Sequence, residues 1–93
     1  MSKINLYDID MLRNINEIRV WELAQIFFQK HSEYCTCREC ILDTVAITLN
    51  RIRPHYQISE DDYSEAKNKV ADEEILETLK LAADKVKKHP HHL

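Results

Sequence analysis

The chain has 93 residues, 44% of them hydrophobic and 31% charged, with a formal net charge of -3. A core this small is marginal on its own, so a metal, a dimer interface or both are expected to add stability. The acidic balance excludes a broad basic surface for duplex nucleic acid. The absence of glycine excludes the phosphate-cradling loops, dinucleotide fingerprints and nucleophile elbows of common nucleotide hydrolases and dehydrogenases.

From the N-terminus, MSKINLYDID has no apolar core of a signal peptide, and no later run approaches the ~18 apolar residues of a membrane span. A cytoplasmic location is expected, with no membrane association. The only strand signal is the short alternation from Ile4 to Tyr7. Asp8 is then suited to cap a first helix running from about residue 9 to His31. Its apolar residues cover most of its girth: Met11, Leu12, Ile15, Ile18 and Ile26 on one side, Val20, Ala24 and Phe27 on another, and Trp21, Leu23 and Phe28 between. Such a helix must be covered on more than one side. A homodimer built on this helix is expected, with Trp21 or Phe27 at the interface. Asn14 and Glu17 lie near a polar edge, where either can bond to the cysteine segment or to the turn after the second helix.

Cys35, Cys37 and Cys40 are the chain's three cysteines and lie within six residues. Clustered thiols in a cytosolic chain are more often metal ligands or redox groups than disulfides. From Cys40 onward, Ile41, Leu42, Val45, Ala46, Leu49 and Ile52 fall on one arc of about 140° at about 100° per residue. A second helix over about 38–52 is therefore expected to open on the thiols and bury this arc. Its free first-turn N–H groups are expected to lower the thiol pKa. Pro54 ends it, since the residue before a proline leaves the α region.

Three thiolates and a histidine make a closed structural zinc site, and zinc is the leading reading. His31 is taken as the fourth ligand in the candidate set Cys35, Cys37, Cys40 and His31, with His55 and the tail histidines as alternatives. A thioredoxin-like reading of Cys37-Arg38-Glu39-Cys40 lacks its βαβ context, and ordinary reduced thiols remain the plain alternative.

Ser59-Glu60-Asp61-Asp62 looks like a capped helix start, with Tyr63, Ala66 and Val70 facing inward. The following stripe, Ile75, Leu76, Leu79, Ala82, Ala83 and Val86, points the opposite way if the helix is continued. A break at Ala71 to Glu73 follows, with Asp72 as a new cap and helices at about 60–70 and 73–88. One long helix serving two partners is the alternative. The expected architecture is thus all-α: a single four-helix domain over residues 1–93, with a cysteine-rich metal knuckle opening helix two and a frayed, histidine-containing tail at 89–93.

The pattern Asn14-x-x-Glu17-x-x-Val20, then Cys35-Thr36-Cys37-x-x-Cys40-x-x-Asp43-x-x-Ala46-x-x-Leu49-Asn50, then Pro54-x-Tyr56, resembles the late-competence ComFB family over residues 14–56. The resemblance implies a small, all-helical, homodimeric bacterial regulatory protein, zinc-bearing in some members and described as a receptor for cyclic dinucleotides. Relatives usually carry two prolines where this chain has Arg53-Pro54, which bears on the turn's shape. Some have a further downstream cysteine that is missing here, which bears on the fourth ligand.

Read without the family, Arg51, Arg53 and Tyr56 are solvated groups at a helix C-terminus. With it, Arg51, Arg53 and Tyr56, supported by Asn50, Asn14 or Arg13, become the candidate contacts to a cyclic dinucleotide. Arginine forks hold phosphates and an aromatic ring stacks on a base. No paired carboxylates or nucleophile-base set stands out, so an enzyme is not expected. The alternative function is a zinc-stabilised interaction module that holds an unknown downstream protein and binds no nucleotide.

Overall fold

A computed structural model describes residues 5–58 and 61–89, with the backbone alone for Leu6 and Tyr7. Four α-helices account for most of the chain: α1 at Ile15–Lys30, α2 at Arg38–Arg51, α3 at Ser64–Lys69 and α4 at Asp72–Lys88. Two short strands, β1 at Arg13–Asn14 and β2 at Tyr56–Gln57, pair antiparallel with Arg13 opposite Gln57 and Asn14 opposite Tyr56. The all-α reading holds, with this ribbon as an unanticipated addition.

The first helix does not begin at residue 9 and Asp8 does not cap it. Leu6–Met11 forms a 3-10 helix, so the one strand signal in the sequence, the alternation at 4–7, gives no strand over its described residues. Ile9 and Met11 are largely exposed, so no burial within the chain favours extending α1 through them. The cap is Asn14, extended at φ -79 and ψ 101, whose side chain accepts from Asn16 N at 3.2 Å. Asparagine is among the best residues for this position.

Helix α2 matches its expected span, with Cys37 as N-cap and an extended Ile52 as C-cap ahead of Arg53-Pro54. Its buried face is rotated from the expected arc. Cys40, Thr44, Val45, Thr48 and Ile52 are buried, Ile41 and Leu49 are half-buried, and Leu42 and Ala46 are exposed. The threonines are admitted because each hydroxyl donates one turn back, Thr44 to Cys40 O and Thr48 to Thr44 O, both at 2.8 Å. A hydroxyl satisfied within its own helix costs little to bury.

Helix α3 is shorter than expected, starting at Ser64, whose amide donates to Asp62 Oδ1 at 2.9 Å. The Ser59 cap lies outside the described residues. The break before α4 is present: Val70 and Ala71 are both extended, which rules out one continuous helix. Asp72 is the first residue of α4 rather than its cap, and its carboxylate binds Arg19 instead. Ile75, Leu79, Ala82, Ala83 and Val86 are buried along one face of α4, as the stripe required.

The core gathers Val20, Ala24 and Phe27 of α1, Val45 and Ile52 from α2 and its cap, Val70, and Ile75, Leu79 and Ala83 from the last stretch. Helix α4 packs chiefly on α2, with α1 against both. Phe27 is 4% exposed and belongs to this core, so it is unavailable to a dimer partner. Trp21 is 44% exposed and is available.

Candidate functional site

The cysteine segment is fixed by the residue before it. Tyr34 is buried, its ring lies 5.5 Å from that of Phe27, and its hydroxyl donates to Asp84 on α4. That bond, with burial second, pushes the Tyr34 hydroxyl up to about 12, and the same bond holds Asp84 below its ordinary range against the opposing effect of burial. The loop is thereby pinned to α4 one residue before Cys35. Cys37 then caps α2 and Cys40 enters its first turn, which turns all three side chains to one place.

The three Sγ atoms lie within 4.8 Å of one another, Cys35 exposed, Cys37 half-buried and Cys40 buried. A tetrahedral ion at about 2.3 Å from each sulfur requires sulfurs about 3.8 Å apart, so a closure of about 1 Å suffices. Three thiols this close can hold a metal ion. The expected lowering of thiol pKa at the helix start does not hold for Cys40. Burial, aided by hydrogen bonds with Cys37 and Cys35, pushes it up to about 12. Burial outweighs the helix start there, and a cation is the kind of group that reverses the balance by stabilising the thiolate.

The cluster among the described residues contains the three thiols and no histidine. The ring of His31 lies 4.5 Å from that of Phe27, with its Nδ1 3.6 Å from Glu33 Oε2. His55 belongs to the turn after α2, and His89 ends α4 with its amide bonded to Lys85 O and Val86 O. His91 and His92 lie outside the described residues. A cavity of about 190 Å³ adjoins the thiols, its walls including Tyr34, Cys35, Cys40 and Lys87.

The second candidate site is the turn from Ile52 to Gln57. Arg51, Arg53 and Asn50 are exposed, and Tyr56 is 61% exposed. The backbone beneath them is held at several points. Ile15 N donates to His55 O at 2.7 Å, His55 N donates to Asn14 Oδ1 at 2.9 Å, and Asn16 Nδ2 donates to Arg53 O at 2.6 Å. Asn14 therefore does reach the turn after helix two. Its oxygen serves as both helix cap and turn anchor.

Two residues that the sequence reading passed over complete this arrangement. Asn16 is fully buried and Arg19 is 3% exposed. Arg19 Nη1 donates to Asn16 Oδ1 at 2.9 Å, while Nη2 donates to Val70 O at 2.7 Å and to Asp72 Oδ1 at 2.8 Å. The available signal was their spacing of three on a helix, flanked by Ile15 and Val20, which puts an amide and a guanidinium together on a buried face.

Among the described residues no helix is long and apolar enough to cross a membrane. No curated protein and no solved structure matches the chain. Residues 13–90 match the family described as Late competence development protein ComFB, a span that takes in the thiol cluster, the turn and all four helices. The chain belongs to the late competence development protein ComFB family.

Proposed function

We propose that this chain is a non-enzymatic, cytoplasmic regulatory protein of the late-competence type. It carries a structural zinc on Cys35, Cys37 and Cys40, works as a homodimer, and receives a cyclic dinucleotide at the turn after α2. The observation that carries the reading is the turn itself: two arginine forks and an exposed tyrosine ring stand on a backbone anchored by Asn14 and Asn16. A preorganised backbone reduces the ordering cost of binding. Phosphates suit Arg51 and Arg53, a base suits the face of Tyr56, and Asn50 lies alongside. The turn is open to solvent, so a second chain is the natural source of an opposing wall.

The dimer reading draws on Trp21. Hollows of about 120 Å³ and 330 Å³ flank it, the first including Phe28 and Ile41, the second Ile18 and Leu49. Ile26 and Leu42 are also exposed. A two-fold interface is self-complementary, so each Trp21 has a hollow to enter on its partner. Sedimentation at micromolar concentration is expected to give twice the 11.1 kDa chain mass, and Trp21→Glu to give monomer. A monomeric wild-type chain would overturn the dimer.

The interaction module is the second reading, favoured by Ile58 at 70% exposed and Tyr56 at 61% in neighbouring positions of the chain. Substitution separates the two. Arg53 holds Asn16 through its carbonyl, not its side chain, so Arg53→Ala should leave the melting temperature within about 2 °C. It should weaken cyclic dinucleotide affinity about tenfold to a hundredfold, the loss of one charged phosphate contact. An affinity unchanged by Arg53→Ala counts against the receptor reading.

A further inference from the structure

We propose that Arg19 is a positioning residue for the turn after α2, and that through Asn16 it couples the turn's shape to the α3–α4 junction. The inference rests on the receptor reading only for its functional consequence. Its structural content stands on the hydrogen bonds alone.

A guanidinium has donors and no acceptor. With Arg19 Nη1 at 2.9 Å, the Asn16 carboxamide must turn its oxygen toward the arginine. Its Nδ2 is thereby presented to Arg53 O, where it donates at 2.6 Å. Without Arg19 the buried Asn16 oxygen loses its donor, and the carboxamide is held from the turn's side alone. Arg19 thus fixes the far end of the amide whose near end holds the Arg53 carbonyl, without touching the turn itself.

The other Nη of the same fork is held by Val70 O and Asp72 Oδ1. Val70 and Ala71 are the two extended residues that separate α3 from α4. The guanidinium is planar, so a shift at the junction must move Nη1 as well as Nη2. Asp72 has a side chain 44% exposed, so the series that begins at Arg53 inside the turn ends at the surface on another element. The wall around a cleft of about 230 Å³ there includes Arg19, Tyr63, Lys67 and Asp72. Burying an arginine for local stability alone is poorly rewarded, since an apolar side chain of similar volume serves as well or better. Simultaneous bonds to both Asn16 and the junction give it a role that an apolar residue lacks.

The test uses the full-length chain, metal-replete, and begins without nucleotide. Asp72→Asn removes the half-exposed charge and leaves the Val70 bond. Backbone amide spectra and hydrogen exchange are recorded for both proteins. The expected result is a change at the far end: the His55 and Ile15 amides shift, and their exchange quickens about fivefold or more, the lower range of a site-to-site coupling. Asp72→Glu, which keeps the charge, should leave them near their wild-type positions. Changes confined to residue 19 and the 70–72 junction, with His55 unmoved, would overturn the proposal and leave Arg19 a local structural residue. A cyclic dinucleotide titration then asks the separate question. If the turn amides respond to Asp72→Asn but no nucleotide binds, the coupling stands and the receptor reading fails.

Discussion

Chelating the metal from the folded protein should lower its melting temperature by about 15–30 °C, the effect of losing about 4 kcal/mol from a site saturated a thousandfold above its dissociation constant. The size follows from where the thiols are. They join the 31–37 loop to the first turn of α2, and Cys37 caps that helix without a side-chain hydrogen bond. Cys37→Ser makes the test sharp, because serine is a better N-cap than cysteine and should be neutral or slightly stabilising in metal-free protein. A loss of stability in that variant, seen only in the presence of metal, therefore reports a ligand. Metal analysis of untagged protein should find about one zinc per chain. A melting temperature indifferent to both chelation and Cys37→Ser would remove the metal from the account.

Arg19→Ala is expected to cost about 3–5 kcal/mol, the range for breaking a buried charged network from one side. In a domain of this size that lowers the melting temperature by at least about 12 °C. Most of the loss lies with the buried partners, Asn16 Oδ1 and Val70 O, each left without its donor. The pair with Asp72 contributes less, because that carboxylate is half in water. Thermal unfolding of the variant beside Asp72→Ala should show the arginine change to be several times the more severe. Equal and small effects would mean that the network is dispensable.

Much of the fold was legible because apolar periodicity is a strong signal where one face alone is buried. Helix α4 shows this in Ile75, Leu79, Ala83 and Val86, and the reversal of burial direction correctly placed the break before it. Periodicity failed where polar groups satisfy themselves. Thr44 and Thr48 bond within α2 and replace Leu42 and Ala46 on its inner face. The start of α1 was misplaced because Met11 and Leu12 fit a helical pattern, while Asn14, whose side-chain oxygen accepts from both the Asn16 and the His55 amides, begins the helix later. The thiol cluster was readable from spacing alone. The buried pair of Asn16 and Arg19 showed in the sequence only as a spacing of three between apolar residues, and its role did not, because its partners, Arg53, Val70 and Asp72, lie far away in sequence and meet it only in the fold.

The proposed receptor role requires that the turn holding Arg51, Arg53 and Tyr56 bind a cyclic dinucleotide. Titration calorimetry of the full-length, metal-replete protein with cyclic di-AMP and cyclic di-GMP tests it most directly. Saturable heat is expected with at least one of the two, lost or weakened in Arg53→Ala. No heat with either at high micromolar concentration, from protein shown to be folded, dimeric and metal-loaded, would contradict it and leave the interaction module in its place.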